Sequence, residues 1–307
     1  MSKIKKYLSF IISIVVVIII ALNFDKITTR LSEYVQNLTQ DRTVKIEKGN
    51  EYTRNYSYLY LKNSEDYIPY SYEDLINIVY GILNQGWNEF TFYCPQEYTE
   101  CLEDISKLSN DEEQLSHINN FVNPFNSYSS IKTIYDDSGE ITIIVNHLYN
   151  EEEIRKANTE IDEIIEKTTN DSMSDKQKIL AIHDYIINRT KYDVKRADTG
   201  NSEYDSARIQ GLLYEHYAIC SGYTDTMAII LDKLHIPNYK ISSKSHIWNA
   251  VYIDGEWKHL DLTWDDPVNS SGKDTLEHNF FLIDSKTLKE NDKKDQHLFK
   301  EEIYQEM

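Results

Sequence analysis

The chain predicts an α+β protein, in which a helix carrying a cysteine at its start packs on an antiparallel sheet. A small α/β unit and an apolar N-terminal segment precede that core. Three observations carry this reading. Cys220 and Gly222 are followed by Met227, Ile230, Leu231 and Leu234 at three- and four-residue steps, the stripe of a helix lying on a core. His246–Ile253 and Glu256–Thr263 read as strands around Asp254-Gly255, a strong hairpin signal. Leu8–Leu22 is an almost unbroken apolar run behind Lys3, Lys5 and Lys6.

That run lacks a polar face, so a core helix fits it poorly. Extended from Tyr7 to Phe24 it just reaches membrane-spanning length, and no small-x-small cleavage site follows Ala21. An uncleaved anchor over residues 1–24 is expected, with secretion after signal cleavage as the alternative. The lysines place the N-terminus in the cytoplasm and the rest outside. Residues 25–49 are polar and weakly periodic, a stalk.

Residues 50–150 read as the small α/β unit. Helices are expected over Tyr72–Leu83, Pro95–Leu108 and Asp111–Asn120, a strand over Glu89–Tyr93, and a hairpin of Ser130–Tyr135 with Glu140–His147 around Asp136-Asp137-Ser138-Gly139. His117 and His147 are isolated and carry no chemistry. A packing or substrate-presenting role is expected.

Residues 151–284 form the expected catalytic domain. Glu151–Thr168 is an acidic helix striped by Ile154, Ala157, Ile161, Ile164 and Ile165. Ser174–Arg189 follows, opened by a capping box of Ser174 with Gln177. Thr199–Ser206 is polar, a rim or lid, and Gly211–Tyr217 leads to Cys220. Val268–Thr275 is a loop, Asn279–Ile283 a last strand, and residues 285–307 a charged helix or tail.

Cys220 sits at a helix N-terminus, whose partial positive charge favours thiolate over thiol. With Asp254-Gly255 as a two-residue loop, Ile253 pairs with Glu256, Trp248 falls opposite Asp261, and His246 and Asp261 become diagonal neighbours on one face. Diagonal side chains stand roughly 7–8 Å apart, near enough for an imidazole and a carboxylate to touch. A thiol, an imidazole and a carboxylate that orients the imidazole make the logic of a cysteine nucleophile. Asp265 shares the strand parity of Asp261 and is a second candidate for the acid. Trp248, Trp257 and Trp264 read as core aromatics.

Cys220-Ser221-Gly222-Tyr223, His246-Ile247-Trp248-Asn249 and Leu260-Asp261-Leu262-Thr263-Trp264-Asp265-Asp266, in that order, resemble the transglutaminase-like superfamily. The likeness runs from about Ile179, through Ile182-His183-Asp184-Tyr185 and Tyr192-Asp193, to His278-Asn279-Phe280-Phe281 and Asp284. It implies a papain-like core with a Cys-His-Asp triad: Cys220 as nucleophile, His246 as base, Asp261 as orienting acid. Glu215-His216-Tyr217 departs from the small residue or glycine such proteins often carry before the cysteine. The resemblance implies acyl transfer at a peptide or side-chain amide through a thioester, resolved by water or an amine, on surface or cell-wall peptides.

Composition bounds the alternatives. The 307-residue chain is 40% hydrophobic and 27% charged, which is globular, and its net charge of −19 repels phosphate backbones, so nucleic acid is not an expected partner. The absence of Cys-x-x-Cys and His-x-x-x-His spacing leaves a zinc site without support, and neither cofactor nor metal is expected. Cys94 and Cys101 are expected to be ordinary thiols, with a disulfide as the alternative. A catalytically inactive surface scaffold on the same core, or a redox sensor using Cys94 and Cys101, are the competing readings.

Overall fold

Two capped helices introduce the half of the molecule that carries the candidate residues. In this computed structural model, which describes residues 22–24, 26–28, 30, 44–267 and 275–307, α4 spans Glu151–Thr168 and α5 spans Asp175–Arg189. Each opens with a reciprocal capping box, Asn150 with Glu153 and Ser174 with Gln177. Their apolar faces, Ile161 and Ile164 with Ile179, Ile182 and Ile186, bury in a cluster shared with Met227, Ile230 and Leu231 of α7 (Cys220–Lys233). α7 packs on the antiparallel sheet β6-β7-β8: Asn238–Ser242, Ile247–Ile253 and Glu256–Leu260. A helix carrying the cysteine on an antiparallel sheet is thus observed, and the β7–β8 ladder has the expected register, from Ile253 with Glu256 to Asn249 with Leu260. β6 was not foreseen.

Residues 50–150 supply α1 (Tyr72–Gln85), α2 (Cys101–Ser109), α3 (Glu112–Asn119) and an antiparallel sheet of β1 (Glu89–Tyr93), β2 (Tyr128–Tyr135) and β3 (Glu140–His147), in the order β1-β3-β2. Residues 46–307 nevertheless form one compact unit. Arg54, almost fully buried, spans the two sheets' territories. It donates to Asp232 Oδ2 at 2.8 and 3.0 Å, to the Phe121 carbonyl and to Asn238 Oδ1. Phe121, Tyr239 and Tyr304 stack around that junction, and Tyr58 meets Phe121 edge-on. The division drawn at residue 150 therefore separates two sheets within one unit.

Several expectations are corrected. Cys94 and Cys101 form a disulfide, with their Cα atoms 5.8 Å apart. The helix expected from Pro95 begins only at Cys101, because residues 95–100 turn through Tyr98 N–H to Pro95 O and Cys101 N–H to Tyr98 O, folding Cys101 back onto the end of β1. The strand expected to Thr263 stops at Leu260, where Asp261 caps the short helix α8 (Leu262–Asp265). Asn279–Ile283 is not a strand: Ile283 alone bridges to His259. The charged tail opens with α9 (Ser285–Asn291), and its far end is buried at Ile303 and Tyr304.

Tyr192 and Lys191 form β4, which pairs in parallel with β5, Tyr217–Ala218; α6 (Val194–Thr199) follows β4. Among the described residues no helix is long and apolar enough to cross a membrane. The anchor expected over 1–24 lies outside the described residues, save Leu22, Asn23 and Phe24; so does most of the stalk, and so does 268–274 of the expected loop.

Candidate active site

The approach to Cys220 is set by backbone proximity. Ile219 is extended, its N–H donates to the Ser206 carbonyl, and α7 starts at Cys220. A Cβ on Gly222 would stand 2.7 Å from that same Ser206 oxygen, so the motif's glycine is required by close packing. Four residues before Cys220, His216 adopts φ 61°, a left-handed conformation that glycine takes without strain. The departure noted in the sequence at this position is therefore a non-glycine residue in a glycine-favouring conformation.

His246 stands one residue ahead of β7, its N–H held by Ser243 Oγ at 3.1 Å, and its ring stacks on the fully buried Trp248. Its Nε2 lies 2.5 Å from Asp261 Oδ2, so Nδ1 is the nitrogen left for the Cys220 thiol, which lines the same cleft. Burial disfavours the imidazolium, but the charge of Asp261, its hydrogen bond and Cys220 outweigh that and raise His246 to about 10. Asp261 is buried. Burial would raise its carboxyl, yet the charge and hydrogen bonds of His246 and His297 hold it well below the usual carboxylate range. Its Oδ1 accepts the N–H groups of Thr263 and Trp264, the capping bonds of α8. The expected contact between His246 and Asp261 thus exists, made by a strand end and a helix cap rather than by two strand residues.

Residues 162–262, which hold all three sequence-predicted site residues, match the transglutaminase-like superfamily. The chain carries a transglutaminase-like domain. Among solved structures it is similar to a TGase, at 17% identity over 47% of this chain and 46% of that one, with a TM-score of 0.35. It is also similar to a candidate cysteine protease from Cytophaga hutchinsonii, at 15% identity over 44% and 61%, with a TM-score of 0.27. The chain thus spans about half to three fifths of those proteins. No curated protein matches it significantly.

Around the cysteine of this transglutaminase-like domain lies a cleft of about 840 Å³, which Cys220 and His246 line together with Tyr192, Arg196, Trp264 and Lys294. Trp264, expected in the core, is on the cleft wall, with Lys294 Nζ 5.4 Å from its ring centre. Gly200 is the only part of the expected rim, 199–206, on that wall. The rim's far end is tied down, since Ser206 donates to Asp193 and Tyr204 stacks on Tyr217.

The second acid candidate, Asp265, faces away from His246. Its Oδ2 lies 3.2 Å from His183 Nε2 and its Oδ1 accepts Phe280 N–H. Asp266 accepts the Tyr223 hydroxyl at 2.5 Å. Asn249 is structural, bonding the Thr224 carbonyl of α7, and His117 bonds Tyr304. His297 was missed: its Nε2 lies 2.9 Å from Asp261 Oδ2, deep in the protein. The only signal for it was an aromatic pair, His297 and Phe299, inside an otherwise charged stretch.

Two groups of ligand atoms among the described residues lie close enough to share an ion: His183, Asp184 and His278, and the His246, Asp261 and His297 set. In the first, His183 is already shared between Asp184 and Asp265, and His278 bonds Asp184. In the second, both imidazoles aim at one carboxylate oxygen. Hydrogen bonding accounts for both.

Proposed function

We propose that this chain is a cysteine-dependent acyl-transfer enzyme acting on peptide or side-chain amides. The observation that carries the reading is His246, bonded to the buried Asp261 and lining one open cleft together with Cys220. Cys220 thiolate attacks the amide carbonyl, His246 gives a proton from Nδ1 to the departing amine, and a thioester forms. Asp261 keeps the Nε2 proton in place and favours the imidazolium. The Cys220 N–H, first in its helix, is the candidate donor to the oxyanion. Water then resolves the thioester in a peptidase or amidase; an amine resolves it in a crosslinker.

The N-terminal run anchors the chain in a membrane with its domain outside, where cell-wall or surface peptides are the substrates. The Cys94–Cys101 disulfide supports that placement, since disulfides persist in oxidising compartments.

The disulfide also makes the test simple, because Cys220 is the free cysteine. Intact protein is alkylated with iodoacetamide between pH 4 and 9 and the mass gain mapped to Cys220. Wild type reacts rapidly at pH 6, and His246→Ala slows this by roughly a hundredfold. Equal rates in the two proteins refute the enzyme and leave an inert scaffold.

A further inference from the structure

The segment after residue 284 enters the sequence as a run of charges, yet it delivers one buried imidazole to the candidate acid. His297 is 4% exposed. Its ring stacks on Phe280 at 5.2 Å and meets Trp248 and Trp264 edge-on at 4.8 and 5.3 Å. Its backbone N–H donates to Asp292 Oδ2 at 2.8 Å, and its Nδ1 lies 3.4 Å from the same oxygen. One residue before it, the Gln296 carbonyl takes the hydroxyl of Ser243, the residue that also holds the His246 N–H. A ring caged in this way has one orientation.

We propose that His297 is a positioning residue, fixing Asp261 for its work on His246 and making the C-terminal segment part of the active site. The proposal rests on the cysteine-enzyme reading above. Asp261 accepts four donors: Thr263 and Trp264 N–H groups on Oδ1, and His246 and His297 on Oδ2. An ionised carboxylate offers about four lone-pair sites, so its acceptor capacity is filled and it cannot rotate without breaking a bond. A merely packed histidine could have bonded any carbonyl. This one shares the oxygen that orients His246, and a donor to the charged form favours that form. Without it, the Asp261 carboxyl binds a proton more readily and is free to turn from His246. The titratable groups that face the pair are His246 and Cys220 on the cleft side, Asp292 behind His297, His259 across Trp248, and Asp265 and Tyr192 around Asp261.

The test is Cys220 alkylation by iodoacetamide between pH 4 and 9 in wild type, His246→Ala, His297→Leu, His297→Asn and His297→Gln, with thermal unfolding of each. A glutamine amide places an N–H near the Nε2 position; asparagine is too short and leucine has no donor. The Leu and Asn variants are expected to slow alkylation at pH 6 roughly tenfold or more and to move its acid limb to higher pH, while Gln recovers most of both. Should His297→Leu not fold, the Gln and Asn pair carries the comparison alone. Rates and limbs equal to wild type in Asn, or equal losses in Asn and Gln, overturn the positioning role. Wild type no faster than His246→Ala overturns the enzyme reading beneath it, which is a distinguishable result.

Discussion

Asp261 and Asp265 bracket the same short helix, both are buried, and each faces the Nε2 of a histidine, yet their carboxyls are shifted in opposite directions. Burial pushes both carboxyls up. For Asp261 the two imidazoles and two capping N–H groups win and hold it ionised. Asp265 has one longer imidazole contact, 3.2 Å to His183, and one backbone donor, with the negative charge of Asp261 nearby; burial prevails and its carboxyl is raised. Burial sets the penalty, and the count and charge of donors decide the outcome. Proximity to a histidine alone would not have told these two aspartates apart.

The sharpest way to break the comparison is to neutralise each. Asp261→Asn is expected to lower iodoacetamide reactivity of Cys220 at pH 6 by roughly a hundredfold, to the level of His246→Ala, because the wrong tautomer and orientation follow. Asp265→Asn should keep reactivity within about tenfold and instead cost about 1–3 kcal/mol of stability, since His183 and Phe280 lose that carboxyl as an acceptor. Reactivity lost equally in both would make Asp265 part of the machinery.

A third carboxylate pair, whose buried partner is a guanidinium, marks the purely architectural case. Arg54 and Asp232 join the 50–150 segment to α7 far from the cleft. Arg54→Ala leaves Asp232 short of a cation, and about 3–5 kcal/mol of stability should be lost in urea unfolding. Cys220 in the folded fraction should alkylate at the wild-type rate. Next in size is the disulfide. Bridging Cys94 and Cys101 closes a loop with a sequence separation of 7, for which loop entropy gives about 2–3 kcal/mol, and the double serine variant should lose that much.

How far the sequence reached follows the same division. Local rules were dependable: the Ser174 capping box, the Asp254-Gly255 register and the start of the cysteine helix stand where side-chain periodicity and turn chemistry put them. Pairing Asp261 with His246 was legible too, although by extrapolating a strand that ends at Leu260; the cap geometry of α8 delivers the same side chain to the same place. What depends on distant chain was not legible. His297 lies 36 residues beyond Asp261 among lysines and aspartates, and no period connects them. The 5.8 Å approach of Cys94 to Cys101 depends on how six residues turn, which propensity does not fix. The strand expected at Asn279 failed because Phe280 spends its carbonyl and N–H on Asp261 and Asp265 rather than on a ladder.

The smallest expected effect concerns histidines on either side of Trp248. His246 is raised to about 10, whereas His259 is lowered to about 3, by burial first and then by the charge of His297. His259 accepts the Trp248 indole N–H on Nδ1 and meets Ser285 through Nε2, an arrangement that fits the neutral ring. Between pH 6.5 and 3 the unfolded chain therefore protonates His259 while the native protein does not. The unfolded state binds more protons in that window, so this group's contribution to stability falls as pH falls. His246 has the opposite sign: its folded affinity exceeds the unfolded one, so its stabilisation is complete below pH 6.5 and disappears as pH rises through 10. From pH 7 to pH 5 the His259 linkage should cost about 2 kcal/mol. Urea unfolding of wild type and His259→Gln at the two pH values isolates it, because every other titrating group is common to both. The glutamine variant should lose that much less on acidification. An identical pH dependence in the two proteins would mean that His259 is charged in the folded state, and the contrast across Trp248 would disappear.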